Sequence, residues 1–521
     1  MFRTVLMILV MVSLSFSAEL VVFDGELARV HAESLEDMNV VYESAGYYVA
    51  FVQDGLADGS SVAEIIDSGS IAPEDYVLVH LSSEEGMDHL SELGETVFTD
   101  GEKAIVKLEG SMPEPFIRQG VFFVQPLRTM NVLEARNRPF RFQAMPAQDD
   151  DVADIVAAVS EDSIQAFIQH LQDYQTRYSS TDNYDTACNW VEDKFTAYGL
   201  AAEQQTFPMS GYDCQNVIAE LPGTVDTTKI WIICGHLDST SPSPSTNAPG
   251  ADDNASGSVA VIEAARVLST YEFEETIRFI CFGGEEQGLW GSEYYAGQAS
   301  SAGDDIQGVV NLDMLLYAPP GDDIMWVPYN TQSHDLALAL EAICDTYVPA
   351  LNVGIEYSPG TTYSDHSSFW NEGYAAVLGI EQEVFSNPYY HQTSDILANY
   401  TQYFPFGTNC IKGSIATVAY LAGPTGGTGT AEEAMGEPGF SLAGISPNPA
   451  TQLLTIMPAS DFSGSLSVAL FDITGRRVFS GDYGANAGAV NLDVSRLPNG
   501  VYALRVTSGD VSVTESVVIA R

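Results

Sequence analysis

IWIICGH (residues 230–236), DNASGSVAVIEAARVL (253–268) and IRFICF (277–282) follow one another in the middle of the chain. The short apolar run Ile230 to Cys234 predicts a buried strand, Ser256 to Leu268 a helix, and Ile277 to Phe282 a second strand, with length arbitrating between the two periodicities. The pattern continues with a strand over Ile306 to Leu312 and a helix over Ser333 to Tyr347. Upstream, Ile164, Phe167, Ile168 and Leu171 recur at helical spacing behind Ser160, an N-cap residue followed by the acidic pair Glu161 and Asp162. A further helix covers Tyr184 to Tyr198. Strands that alternate with helices predict a three-layer α/β domain over 149–423, with helices on both faces of a central mixed, largely parallel sheet.

Working outward, residues 1–18 place Arg3 ahead of an apolar stretch, Val5 to Phe16, with small residues at Ser15, Ser17 and Ala18. That is the pattern of a secretory signal peptide cleaved near Ala18, and it is shorter than the roughly 20 apolar residues that span a bilayer. Residues 19–148 form an expected α+β N-terminal region with strand-like runs at Glu19–Phe23, Tyr47–Val52, Asp75–His80, Ala104–Leu108 and Gly120–Gln125. It closes on Arg128, Arg136, Arg138 and Arg141, just before the acidic run Asp149 to Asp151. A linker there suggests a processing site, and with it a prosegment that assists folding or blocks the following domain; an ordinary interdomain linker fits the same residues.

Residues 424–438, rich in Gly, Thr and Pro, are the expected linker to a separate domain at 439–521. Short alternating runs with turn signals such as Asn499-Gly500 predict a small β-sandwich there. The charge changes at this boundary. The whole chain carries a net charge of −51, of which the last 83 residues hold only −1. A field of that sign repels phosphate, so nucleic acid is excluded as a partner. Six cysteines allow about 15 pairings. Cys234 and Cys281 lie within predicted central strands as small buried hydrophobes, and Cys188 to Cys214 is the pairing expected if a bridge forms.

The chemistry lies where the strands end. His236 closes one predicted strand, Glu285 and Glu286 follow the next, Asp313 follows a third, and Asp253 stands just ahead of a helix. The carboxyl ends of strands in an open α/β sheet share one edge, where sites form. Imidazole and carboxylate there suit zinc, and two closely spaced metals need a carboxylate able to bridge them.

Taken together, His236-Leu-Asp238, the stretch Pro249 to Gly257 (PGADDNASG), Glu285-Glu286, Asn311-Leu-Asp313-Met and His391-x-Thr-x-Asp395 resemble metallopeptidase family 28, most closely its secreted bacterial leucyl-type aminopeptidases. The likeness runs from about Ser160 to Leu421. It implies a zinc-peptidase domain with two zinc ions: Asp253 bridges them, Glu286 and His391 complete one site, and Asp313 and His236 complete the other. Glu285 is then the general base, and Asp238 the carboxylate that orients the ring of His236. The implied activity is removal of N-terminal residues, expected to be large and apolar, from peptides. A glutaminyl cyclase-like acyltransferase with one zinc, or a carboxypeptidase of the same fold, is the alternative, and a non-catalytic adhesion protein would lack the ligands. Met314, Leu378, Ile380, Phe385 and Tyr390 are expected to line an apolar pocket. Where relatives carry a tyrosine and a disulfide before Ser-Asp-His, this chain has Gly360-Thr-Thr-Tyr363-Ser-Asp-His366 without cysteine. Structural hydrogen bonding is therefore expected of Tyr363, Asp365 and His366.

The last residues resemble a type A sorting domain of the type IX secretion system, through Ile445-Ser-Pro-Asn-Pro-Ala450, Phe471-Asp-Ile-Thr-Gly-Arg476 and Leu497-Pro-Asn-Gly-Val-Tyr502. This implies contact with export machinery and a location outside the cell or on the outer-membrane surface of a bacterium. A plain adhesion sandwich shares that architecture. The expected state is a monomer.

Overall fold

The computed structural model of the chain describes residues 18–24, 39–44, 46–53, 62–110, 118, 120–128, 142, 149–209, 211–321, 323–427, 442–446, 450–458, 466–471, 477–484, 490–495, 497–498, 500–508 and 511–520. Two units separate at Thr428/Gly429. Of the expected signal peptide only Ala18 falls among the described residues, and Arg136, Arg138 and Arg141 fall outside them.

The N-terminal region contributes two antiparallel sheets. β1 (Ala18–Asp24), β2 (Asn39–Glu43), β3 (Tyr47–Gln53) and β4 (Val62–Gly69) form one in the order β2-β3-β1-β4. β5 (Tyr76–Leu81), β6 (Gly94–Thr99), β7 (Lys103–Leu108) and β8 (Val121–Pro126) form the other in the order β6-β7-β5-β8. Alternate residues decide how they pack: Leu20, Val22, Val49 and Phe51 meet Tyr76, Leu78 and Ile105 in one core. Among the described residues the helical part is 3₁₀ only, at Pro73–Asp75 and Glu84–Glu92.

Three helices open the next region: α1 (Asp150–Ala158), α2 (Glu161–Asp173) and α3 (Asp182–Ala197). Ser160 caps α2 by accepting from the Ser163 N–H, and Ile164, Ile168 and Leu171 form the buried stripe. Then come β9 (Ala201–Met209), β10 (Tyr212–Leu221), β11 (Asp226–His236), α4 (Ala255–Leu268), β12 (Tyr271–Phe273), β13 (Glu275–Phe282), α5 (Trp290–Ala302), β14 (Asp305–Leu312) and β15 (Ile324–Tyr329). α6 (His334–Tyr347), β16 (Asn352–Tyr357), α7 (His366–Asn371), β17 (Ala376–Glu381) and α8 (Phe404–Ala422) complete the layers.

Eight strands make one sheet in the order β16-β15-β17-β14-β11-β13-β10-β9. The four central neighbours, β17, β14, β11 and β13, run parallel. Period-two alternation buries β11 on both faces. Trp231 and Ile233 join the core under α2, α3, α4, α6 and α8, whereas Ile232 and Cys234 join the one under α5 and α7. Truncating such a side chain, as in Ile233→Ala, costs about 2–5 kcal/mol.

α8 ends at Gly423, whose φ of 73° suits a left-handed cap. The chain does not become a linker there. Pro424–Gly427 forms β18 and pairs antiparallel with β12, which corrects the first four residues of the expected 424–438 linker. A Gly-rich tetrapeptide carries no strand signal of its own; the free edge of β12 supplies the partner. All six cysteines are buried thiols, so the Cys188 to Cys214 bridge is corrected as well. Both sit in the core beside Tyr184 as small apolar groups.

In the second unit, β19 (Leu442–Ser446), β20 (Leu453–Pro458) and β23 (Val490–Asp493) form one sheet. β22 (Arg477–Tyr483), β21 (Leu466–Phe471), β24 (Gly500–Ser508) and β25 (Val511–Ile519) form another. Leu454, Ile456, Val468, Leu470, Leu504 and Val517 fill the space between. Asn499 of the expected turn lies outside the described residues. Among the described residues no helix is long and apolar enough to cross a membrane.

Candidate metal centre

The parallel order of β17, β14, β11 and β13 sets their carboxyl ends side by side, and the five expected ligands gather there. His236 is the last residue of β11, Asp313 follows β14, and Glu285 and Glu286 follow β13 after Gly283-Gly284. Asp253 precedes α4, and His391 lies on the segment after β17. The helix can approach this edge because residue 257 is glycine. A Cβ there would stand 2.2 Å from the carbonyl oxygen of Leu312.

Asp253 lies between the two imidazoles. Its Oδ1 is 3.3 Å from His236 Nε2 and its Oδ2 is 3.3 Å from His391 Nε2. Asp313 Oδ1 lies 3.3 Å from His236 Nε2, and Glu286 Oε2 lies 2.9 Å from His391 Nε2. Glu285 Oε2 stands 3.8 Å from His236 Nε2. All except Glu286 and His391 are less than 9% exposed. His391 adopts φ 53° and Met314 φ 49°, left-handed conformations uncommon outside glycine that cluster at functional sites.

A set of buried hydrogen bonds holds this arrangement. Asp238 was expected to grip the ring of His236, and the contact differs. His236 Nδ1 donates to the backbone oxygen of Asp238 at 3.1 Å, while the Asp238 carboxylate stands 3.6 Å away. That carboxylate instead accepts from the backbone N–H of Glu285 and of Glu286, because the turn after β13 presents both to it. Asp395 accepts from the N–H of Asp252 and of Asp253, and Ser364 Oγ donates to Asp313 Oδ2. Asn254 ties two ligand segments together: its side chain caps α4 at Gly257 and donates to the carbonyl of Leu312.

Among the described residues Arg177 is the largest fully buried side chain, and it had no signal in the sequence. Its guanidinium donates to the carbonyls of Leu237, Leu171, Pro249 and Gly250, bracketing the loop between His236 and Asp253. A rigid fork of five donors can satisfy such a set, which a point charge cannot.

The electrostatics of the cluster call for a cation. Burial and then Asp253 push the Glu286 carboxyl up to about 7. Burial also raises Glu285 well above the usual range, against the pull of His236. Burial works against protonation of His391, but Glu286 and Asp253 outweigh it and hold the ring at about 10. Glu286 Oε1 is buried with no hydrogen-bond partner. The carboxylates of Asp253, Glu286 and Asp313 around two imidazoles, with one oxygen of Glu286 unpartnered, are donors of the kind that zinc takes. The residues fit the metal.

Met314, Ile380, Tyr363 and Tyr390 close the cavity beside these ligands, with Leu378 in the same apolar cluster. Phe385 is 53% exposed and touches the cluster from outside. Tyr363 departs from expectation: its buried hydroxyl has no hydrogen-bond partner and its ring lines the cavity. The structural bond expected of it is absent because the groups it faces are metal-type ligands. Phe122 and Phe123 of the N-terminal sheet line the same cavity, and only about 10 Å³ of space is left.

Residues 216–404 match Peptidase family M28. That stretch contains all five ligand positions, Asp238 and Glu285. Residues 444–520 match a secretion system C-terminal sorting domain. A probable zinc metalloprotease of Pyrenophora teres f. teres is 30% identical over 189 residues, which are 32% of this chain and 39% of that protein. A probable leucine aminopeptidase of Trichophyton verrucosum is 28% identical over 266 residues, covering 48% of this chain and 70% of that one. The chain thus spans between about two fifths and seven tenths of the length of these two relatives. Among solved structures, the Legionella pneumophila LapA aminopeptidase aligns over 78% of this chain and 98% of its own, at 20% identity and a TM-score of 0.49.

Proposed function

We propose that this chain is an exported zinc aminopeptidase that binds two zinc ions and removes N-terminal, preferentially large apolar, residues from peptides. One observation carries the reading: the two oxygens of Asp253 each face a different imidazole at 3.3 Å, so that this one carboxylate would serve both ions. His236 and Asp313 would hold one ion, and His391 and Glu286 the other. Two complete donor sets favour this reading over a single-zinc acyltransferase.

When bound, zinc supplies Lewis acidity and makes water a nucleophile at neutral pH. Glu285, free of the ligand set, takes the proton of the attacking water and returns it to the leaving amine. Asp238 fixes the Glu285 backbone and thereby the carboxylate's reach. Tyr363, with an unpartnered hydroxyl on the cavity wall, can donate to the oxygen that gains charge. Among the described residues lining the cavity there is no lysine or arginine to receive a C-terminal carboxylate, which favours an aminopeptidase over a carboxypeptidase. The sorting-domain match supports export and a location outside the cell or on its surface.

The test uses the zinc-loaded chain, intact and after cleavage between residues 129 and 148, on leucyl and N-acetyl-leucyl anilides with and without chelator. Cleavage of the free but not the blocked substrate, with two metals per chain, is the expected result. Equal cleavage of both substrates refutes the aminopeptidase, and one metal per chain at full activity refutes the paired site.

A further inference from the structure

We propose that β8 is an intramolecular plug, with the ring of Phe122 seated where a substrate's apolar side chain would sit, so that the intact chain is latent until β8 is displaced. The identity of the displaced ligand rests on the aminopeptidase reading; the occlusion itself rests on geometry.

β8 is an edge strand, paired in its own sheet with β5 alone. The pairing is irregular where it matters. Phe123 faces His80 and Val121 faces Leu81, so Phe122 is an extra residue with no partner across the ladder. Strict alternation would send Phe122 and Phe123 to opposite faces. A bulge re-aims a side chain, and here both rings enter the cavity.

The contacts made by Phe122 are those of a bound ligand. Its ring stacks on Tyr390 at a centroid distance of 4.7 Å and meets the edges of Tyr363 at 4.7 Å and Phe385 at 4.6 Å. Tyr390 stacks in turn on the ligand His391 at 3.8 Å, so the aromatic column ends on the metal centre. The hydroxyl of Tyr390 donates to the backbone oxygen of Phe122 at 3.0 Å. The remaining 10 Å³ admits about one water and no amino-acid side chain.

Two residues latch the strand from outside the cavity. Gln125 Nε2 donates to Thr362 Oγ1 at 2.8 Å. Arg128 donates to the carbonyl of Gly288, on the loop that carries Glu285, and pairs with Glu293 at 2.5 Å. The plug is joined to the domain it blocks through residues 129–148, which contain Arg136, Arg138 and Arg141. A short tether holds a weak ligand at an effective concentration in the millimolar range. Cutting it makes the same contacts bimolecular, and dilution then empties the cavity.

The experiment places a specific protease site within residues 129–141 of the full chain, loads zinc, and titrates L-phenylalanine hydroxamate by calorimetry at low protein concentration, before and after the cut. The cut chain is expected to bind the probe about 10²- to 10⁴-fold more tightly than the intact chain, the factor that the tether contributes. Phe122→Ala in the intact chain should tighten binding by at least about tenfold through loss of the seated ring. Glu293→Gln, remote from the ligands, should do so to a lesser degree by releasing Arg128. Equal affinity in the intact and cut chains, or no binding in any form, overturns the plug. Tight binding by a cut chain that hydrolyses no peptide leaves the plug standing and refutes the aminopeptidase.

Discussion

The carboxylate of Asp238 lies 3.2 Å from the backbone nitrogen of Glu285, 47 residues further along the chain. Its second oxygen takes the N–H of Glu286 at the same distance. One side chain at the end of β11 therefore orients both the expected base and an expected metal ligand after β13. Asp238→Asn offers one acceptor and one donor where two acceptors are needed, and leaves a buried N–H unsatisfied. Zinc affinity is expected to fall about 10- to 100-fold with little change in fold, read by competition with a chelator. Unchanged affinity would show that the two amides need no anchor.

Glu285→Gln keeps the side-chain volume and removes only the proton acceptor. Bound zinc should stay at the wild-type level while turnover falls by roughly 10²- to 10⁴-fold. Metal analysis and the anilide assay on the cut chain separate the two effects. A variant that retains full activity would falsify the general-base role.

Arg177 is held by carbonyls of three segments, and burial lowers its pKa only to about 10, so it remains charged at neutral pH. Arg177→Met should leave those carbonyls without donors, at about 1–3 kcal/mol for each that water cannot reach. The expected result is a marked fall in thermal midpoint together with weaker zinc binding, partly restored in Arg177→Lys. If only the midpoint moves, the residue supports the fold without positioning the ligands.

Protons and zinc compete for the same groups. In the metal-free fold Glu286 is raised from 4.5 to about 7, by burial first and Asp253 second, and His391 from 6.5 to about 10 against the effect of burial. A group whose pKa is raised on folding contributes stability that is complete below its unfolded value and is lost as pH climbs through its folded value. Both shifts have that sign. The metal-free chain should therefore lose stability from about pH 4.5 to about pH 10, while zinc affinity rises over the same window. Zinc binding at about pH 6 should release on the order of one or two protons per chain, measurable by calorimetry in two buffers. A metal-free thermal midpoint that rises across this window contradicts the account.

Much of the architecture was legible because local rules and tertiary outcome agree. Ser160 ahead of Glu161 and Asp162 reads as a cap, and the Ser160 hydroxyl accepts from Ser163. The apolar runs at Ile230 and Ile277 read as strands because buried parallel strands lose their alternation. The failures arise where a partner remote in sequence decides. PTGG at 424–427 is a strand only because β12 offers an edge. Arg177 sits in an irregular segment, beside Gln175 at φ 67°, where no periodicity marks it. Phe122 and Phe123 look like ordinary strand residues until the bulge opposite His80 and Leu81 turns both toward the ligands.

By itself the sequence determined the candidate ligand types and their order, His236, Asp253, Glu286, Asp313 and His391, and the alternation that sets strand ends beside one another. Those follow from side-chain chemistry and from periodicities of two and 3.6 residues, which act over a few neighbours. Only the tertiary structure decided that the oxygens of Asp253 point to different imidazoles, that the Asp238 carboxylate takes two backbone amides while standing 3.6 Å from the ring of His236, and that Phe122 lines the cavity. Asp238 meets Glu285 from 47 residues away, Asp253 meets His391 from 138, and Phe122 meets Tyr390 from 268, and distances across such loops come from packing, which no local pattern records.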